Sequence, residues 1–175
     1  MPVHRLNHVV LYVREVARTK LFYEEVFGFR QVMGDGVRAS FLQAPGSNND
    51  HDLGIFGLGA TAGDSTAGRS TVGMYHVAWE VNTLRELSEI HDDLIRRGCL
   101  VGASNHGTTK ALYGLDPDGL EFEVSWIVPA ARIDDRALSE RLTTTRLDLA
   151  REMQYYGAET LGGLGVSIPL GVLAE

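Results

Sequence analysis

The chain has 175 residues, a formal net charge of −7 and a hydrophobic share of 44%. That length fits one domain or two small fused modules with a real core. Acidic and basic residues are scattered rather than blocked, which argues against a nucleic-acid partner. No apolar run approaches the roughly 18–20 residues a membrane span needs. The opening MPVHRLNH lacks a charged stretch followed by an apolar one, so no signal peptide is expected. A single cysteine, Cys99, excludes an internal disulfide framework and makes a cytoplasmic setting the default expectation. Flanked by Leu100 and Val101, it reads as a buried strand thiol.

Residues 6–13 are rich in β-branched and aromatic side chains and read as a strand. Residues 15–27 carry Val16, Leu21, Phe22, Val26 and Phe27 close to helical spacing, and Gly28 follows as a stop signal. Residues 29–32 and 37–42 read as short strands split by the turn GDG, and 51–56 as a further strand. The same β-α-β-β-β order then repeats. YHVAWEV at 75–81 echoes NHVVLYV at 7–13, giving a period of about seventy residues. Its strand, at 74–81, leads into a helix marked by Leu84, Leu87, Ile90, Leu94 and Ile95 and ended by Gly98. Strands at 100–103, 110–115 and 120–127 complete the copy, with DPDG as the last turn.

The expected fold class is therefore α+β, with paired βαβββ modules forming a cupped mixed sheet. Module one spans 4–57 and module two 73–128 of a domain at 4–128. The Gly/Ala/Ser/Thr-rich stretch at 58–72 links them as a loop, and so long a link is usually functional or mobile. Pro129 ends the second module, and residues 129–175 form a helical C-terminal extension. Within it, Leu138, Leu142, Leu147, Leu149 and Met153 predict one helix over 134–156. The apolar, glycine-rich end GGLGVSIPLGVLAE is expected to pack on the core or on a second subunit.

Strand side chains alternate, so residues two apart share a face. His8 shares its face with Val10 and Tyr12, and His76 with Met74, Ala78 and Glu80. In the last strand Glu121, Glu123 and Ser125 oppose Leu120, Phe122, Val124 and Trp126. A face given over to carboxylates calls for a cation. Two imidazoles and one carboxylate make the facial triad that leaves open positions on Fe(II). Pseudo-symmetry of the repeat would bring His8 and His76 together, with Glu121 and Glu123 both candidates for the carboxylate. His4 and His91 read as surface residues, and Tyr12, Tyr75 and Trp79 mostly as strand packing.

The repeat, closing on DPDGLEFEV, resembles the vicinal oxygen chelate superfamily over residues 4–128. That superfamily holds glyoxalase I, bleomycin-resistance proteins and type I extradiol dioxygenases. Its pattern DPDG-x-x-x-E falls on Glu123, so the resemblance implies His8, His76 and Glu123 as metal ligands. NDHDLGIF, with His51, and HGTTKALYGLDPDG, with His106 and Tyr113, are similar to phrases of the extradiol catechol dioxygenases. The implied catalytic residues are His51, which would hold a superoxide-like oxygen and shuttle protons, and Tyr113 and His106, which would contact the catecholate. The implied cofactor is Fe(II), with Mn(II), Ni(II) or Zn(II) as alternatives, and the substrates are O₂ and a small aromatic diol.

A glyoxalase-like lyase or isomerase would want a fourth ligand, Glu or Gln, on the fourth strand. HDLGIFG offers neither, although His51 could stand in. A metal-free protein that sequesters an aromatic antibiotic is a third reading. Extradiol enzymes of this type are mostly longer, with an extra pair of modules. The resemblance therefore leaves the cavity to be completed by the 58–72 loop, the C-terminal helix or a partner subunit. A homodimer or higher homo-oligomer is expected, because the apolar tail otherwise exposes too much surface.

Overall fold

The computed structural model describes residues 2–3, 5–67 and 70–163. The chain divides into two compact units, one of Met1–Val77 with Leu115–Glu121 and one of Ala78–Gly114 with Phe122–Glu175.

The first unit carries strand β1 (Val9–Val13), helix α1 (Val16–Phe27), and strands β2 (Arg30–Gly34), β3 (Ala39–Gln43) and β4 (Leu53–Gly57). Its sheet runs β1-β4-β3-β2. The β1–β4 pairing is parallel, from Val9↔Leu53 to Val13↔Gly57, and the other two pairings are antiparallel. Parallel neighbours need a long connection, which α1 and the β2–β3 hairpin supply. Helix α1 packs on β3 and β4. The core it closes includes Val16, Phe22, Tyr23, Val26, Leu42, Leu53 and Ile55, all buried. The GDG turn closes the hairpin because one Asp35 carboxylate oxygen accepts from the N–H groups of Val37, Arg38 and Ala39 at 3.0, 2.7 and 3.2 Å.

Strand β1 starts three residues later than the pattern predicts. Residues 5–8 are occupied instead by loop contacts: Arg5 donates to Asn48 and Asn49, and the Asn49 amide donates to the Asn7 carbonyl at 2.9 Å. His8 therefore sits immediately before its strand rather than within it. The DPDG turn also belongs to this unit. Asp118 pairs with Arg14 at 3.0 Å and Arg18 at 2.8 Å and accepts from the Thr19 hydroxyl at 3.2 Å.

The second unit carries β5 (Val77–Glu80), α2 (Leu84–Arg97), β6 (Leu100–Asn105), β7 (Thr109–Leu115) and β8 (Glu121–Ile127), although the end residues Val77, Leu115 and Glu121 fall in the other unit. After a 3-10 turn at Ala130–Arg132 come α3 (Asp135–Arg141), β9 (Thr145–Arg146) and α4 (Leu149–Tyr156). The strand order is β5-β8-β7-β6-β9. Leu84, Leu87 and Leu94 of α2 are buried, as are Ala111, Leu112, Phe122, Val124 and Trp126 of the sheet. The repeat shows in the helix ends: α1 and α2 each stop at a left-handed glycine, Gly28 and Gly98, whose N–H bonds back into the last turn. His76 lies directly before β5, as His8 does before β1.

The single helix expected over 134–156 is not formed. Helix α3 ends at Arg141, the chain extends through β9, and α4 begins afresh. The β-branched run Thr143, Thr144, Thr145 favours extended backbone, and β9 pairs with β6 through Ser104↔Arg146 and Asn105↔Thr145. Asp148 then caps α4 by accepting from the Arg151 N–H at 3.0 Å. Leu142 is 87% exposed and Leu147 buried, so the apolar spacing that suggested one stripe spans two different elements. Residues 164–175 of the apolar tail, and His4, lie outside the described residues. Among the described residues no helix is long and apolar enough to cross a membrane.

Candidate active site

In the first unit the loop contacts around Asn7 and Asn49 bring His8 against His51, with ring centroids 4.5 Å apart. Phe41 of β3 meets the His51 ring edge-on at 5.0 Å. Each histidine is oriented by the residue before it. His8 Nδ1 lies 2.7 Å from Asn7 Oδ1, and His51 Nδ1 lies 3.0 Å from Asp50 Oδ2. With those oxygens accepting from Nδ1–H, the lone pair of each ring falls on Nε2, the form that can bind a metal or take a proton. Both acceptors were visible in the sequence as the dipeptides Asn-His and Asp-His. His51 is largely buried and His8 exposed. His76 is half-buried, its ring 4.7 Å from that of Tyr75.

A cavity of about 820 Å³ lies in the same unit, between the inter-module loop and the DPDG turn. Met74, Tyr75 and Leu120 supply apolar lining, and Asp118 and Glu121 supply carboxylates. Its volume is in the range that takes small organic ligands.

In the second unit Glu123 is half-buried on β8, and its carboxylate accepts from the Ser125 hydroxyl two residues on. His106 and Tyr113 meet: Nε2 lies 2.9 Å from the phenolic oxygen. The other ring nitrogen, Nδ1, lies 3.3 Å from the Thr144 hydroxyl. The turn that presents His106 is tightly built. The His106 N–H donates to the Thr109 carbonyl at 2.9 Å, and Asn105 Oδ1 accepts from the Gly107 N–H at 2.9 Å. Lys110, fully buried, donates to Asn105 Oδ1 at 2.7 Å and to the Gly107 carbonyl at 2.8 Å. It also pairs with buried Glu152 of α4 at 3.1 Å. Burial pulls the Lys110 ammonium below its ordinary range, against the opposing attraction of Glu152.

The structure thus brings His8 to His51 and His106 to Tyr113. His8 and His76 fall in the first unit and Glu123 in the second, and among the described residues no three His, Cys, Asp or Glu side chains group as a metal would require. The donor types, two imidazoles and a carboxylate, suit Fe(II). Two contributors escaped the sequence reading. Lys110 left one trace, a cation inside the apolar strand KALYGL, and Thr144 left none, because its role depends on the β6–β9 register.

Residues 5–124 match the profile of the Glyoxalase/Bleomycin resistance protein/Dioxygenase superfamily, and the chain belongs to that superfamily. It is 30% identical over 161 residues to the catechol-2,3-dioxygenase of Bacillus subtilis (strain 168). That match covers 90% of this chain but 55% of the relative, so the chain spans about half the length of that enzyme. Among solved structures, the fold resembles a glyoxylase/bleomycin resistance protein/dioxygenase domain from Frankia sp. EAN1pec, with a TM-score of 0.57 at 19% identity, covering 74% of this chain and 96% of that one. It also resembles a fosfomycin resistance protein from Listeria monocytogenes, solved with Mn(II), with a TM-score of 0.54 at 21% identity, covering 81% of this chain and 98% of that one.

Proposed function

We propose that this chain is an oxygen-dependent extradiol dioxygenase that opens the ring of a small catechol-type aromatic. The observation that carries the reading is the His106–Tyr113 hydrogen bond at 2.9 Å, a proton-transfer pair of the kind a catecholate needs. The 30% identity to a catechol-2,3-dioxygenase supports it. A catechol must shed a proton to bind as an anion. Tyr113 donates a hydrogen bond to its oxygen, and His106 exchanges a proton through that phenol. His51, its ring set by Asp50 and Phe41, is the second acid–base group. His8, His76 and Glu123 are the residues we assign to Fe(II), with Mn(II) as its nearest substitute. When bound, the ion would supply Lewis acidity and open positions for the diol and O₂.

Anaerobic protein loaded with Fe(II) and then exposed to air should turn catechols into yellow ring-opened products. His76→Ala should lower both the bound iron, read by elemental analysis, and the rate by at least about 10²-fold. Iron-loaded protein that leaves every catechol in a substituted panel intact would refute the assignment.

A second reading, a metal-dependent lyase or isomerase of the same fold using Ni(II) or Zn(II), draws on the 4.5 Å approach of His51 to His8. There His51 would be a fourth ligand. Oxygen consumption separates the two: the dioxygenase consumes O₂ in step with product, and the lyase consumes none.

A further inference from the structure

The superfamily match ends at residue 124, yet the chain beyond it closes around His106. Three elements of the extension take part. Strand β9 pairs with β6 in antiparallel register, Ser104↔Arg146 and Asn105↔Thr145. One step further along that register, Thr144 comes opposite His106, and its hydroxyl lies 3.3 Å from Nδ1. Helix α3 backs onto the same turn. Gly107 has φ +74°, and a Cβ there would lie 2.2 Å from the Ala137 carbonyl oxygen and 2.3 Å from the Arg141 nitrogen. Glu140 of α3 also accepts from the Asn105 amide at 2.8 Å. Helix α4 contributes Glu152, whose pairing holds Lys110 against Asn105 and the Gly107 carbonyl.

A neutral imidazole has one donor and one acceptor nitrogen, and here a hydroxyl faces each. Two arrangements satisfy both. In one, Thr144 donates to Nδ1 and Nε2–H donates to Tyr113, so the phenol keeps its proton for another acceptor. In the other, Tyr113 donates to Nε2 and Nδ1–H donates to Thr144, so the phenol proton is already committed. We propose that the C-terminal extension, through Thr144, holds His106 as the Nε2–H tautomer, so that Tyr113 accepts from His106 and its own proton is donated elsewhere. Thr144 is a positioning residue, acting on a ligand only through His106 and Tyr113. The inference takes those two residues' roles from the function proposed above.

Thr144 is exposed, so Thr144→Val keeps its shape without disturbing the core. The test is the ¹⁵N spectrum of the His106 ring in the full chain. The wild type should show a protonated Nε2 and a bare Nδ1. Thr144→Val should shift the tautomer ratio toward Nδ1–H by about two- to tenfold, and Thr144→Ser should restore it. A wild type protonated on Nδ1, or a Thr144→Val spectrum unchanged from wild type, overturns the proposal. With a cleaved catechol as readout, Thr144→Val should lower kcat by about two- to tenfold at constant KM. If no catechol is cleaved, the function fails while the nitrogen spectrum still decides the positioning.

Discussion

Asp116, the first residue of the DPDG turn, shows how much a single buried carboxylate can weigh. One oxygen accepts from the N–H groups of Asp118 and Leu120 at 2.8 and 2.9 Å, which is what shapes the turn. The other is buried without a hydrogen-bond partner among the described residues. Burial is the largest influence, and it pushes the Asp116 carboxyl up from 3.8 to about 6. A proton is therefore held more tightly in the folded chain than in the unfolded one. The resulting stability is fully present below pH 3.8 and is lost as pH rises through about 6. Asp116→Asn keeps the acceptor and removes the charge. It should raise stability at pH 8 by about 1–3 kcal/mol and leave it little changed near pH 4, as measured by calorimetry across that range. A mutant no more stable than wild type at pH 8 would show that the buried oxygen is solvated.

At the scale of elements, the two copies of the repeat differ at their helix starts. In α2 the Thr83 hydroxyl accepts from the Glu86 N–H at 3.1 Å, and the Glu86 carboxylate accepts in return from the Thr83 N–H at 3.0 Å. In α1 the corresponding position is Glu15, whose side chain makes no capping bond. Thr83→Ala should cost about 1 kcal/mol in urea unfolding and Glu15→Ala much less, and equal costs would contradict the asymmetry. The apolar periods and the glycine stops made these helices readable from the chain alone. The break between α3 and α4 was not, because Leu142 and Leu147 mimic one stripe while three threonines and a capping aspartate decide the backbone. Site residues followed the same division. The alternation of β8 placed Glu123 opposite the buried Phe122, Val124 and Trp126, as a period of two dictates. His8 and His76 lie just outside their strands, where alternation no longer says which way a side chain points. Thr144 and Lys110 act through long-range register and burial, for which one sequence carries no periodic signal.

At the scale of the whole molecule, the units are not consecutive in sequence, since residues 115–121 complete the unit that begins at the other end of the chain. Asp118 ties that segment to the rest of its unit: its side chain is 5% exposed and serves Arg14, Arg18 and the fully buried Thr19 at once. Asp118→Ala leaves the Thr19 hydroxyl without that acceptor and should lower stability by about 1–3 kcal/mol, read as a shifted midpoint in chemical denaturation. A midpoint equal to wild type would mean that water replaces the carboxylate.

The same arrangement bears on how the protein is made. Thr19 and Asp118 are 99 residues apart, and a ribosome adds about 5–20 residues per second, so the earlier partner waits on the order of 5–20 s for the later one. Throughout that interval Thr19 is present and the carboxylate that clasps it has not yet been translated. The first unit therefore gains this clasp only after residues 78–114, which belong to the other unit, have been synthesised.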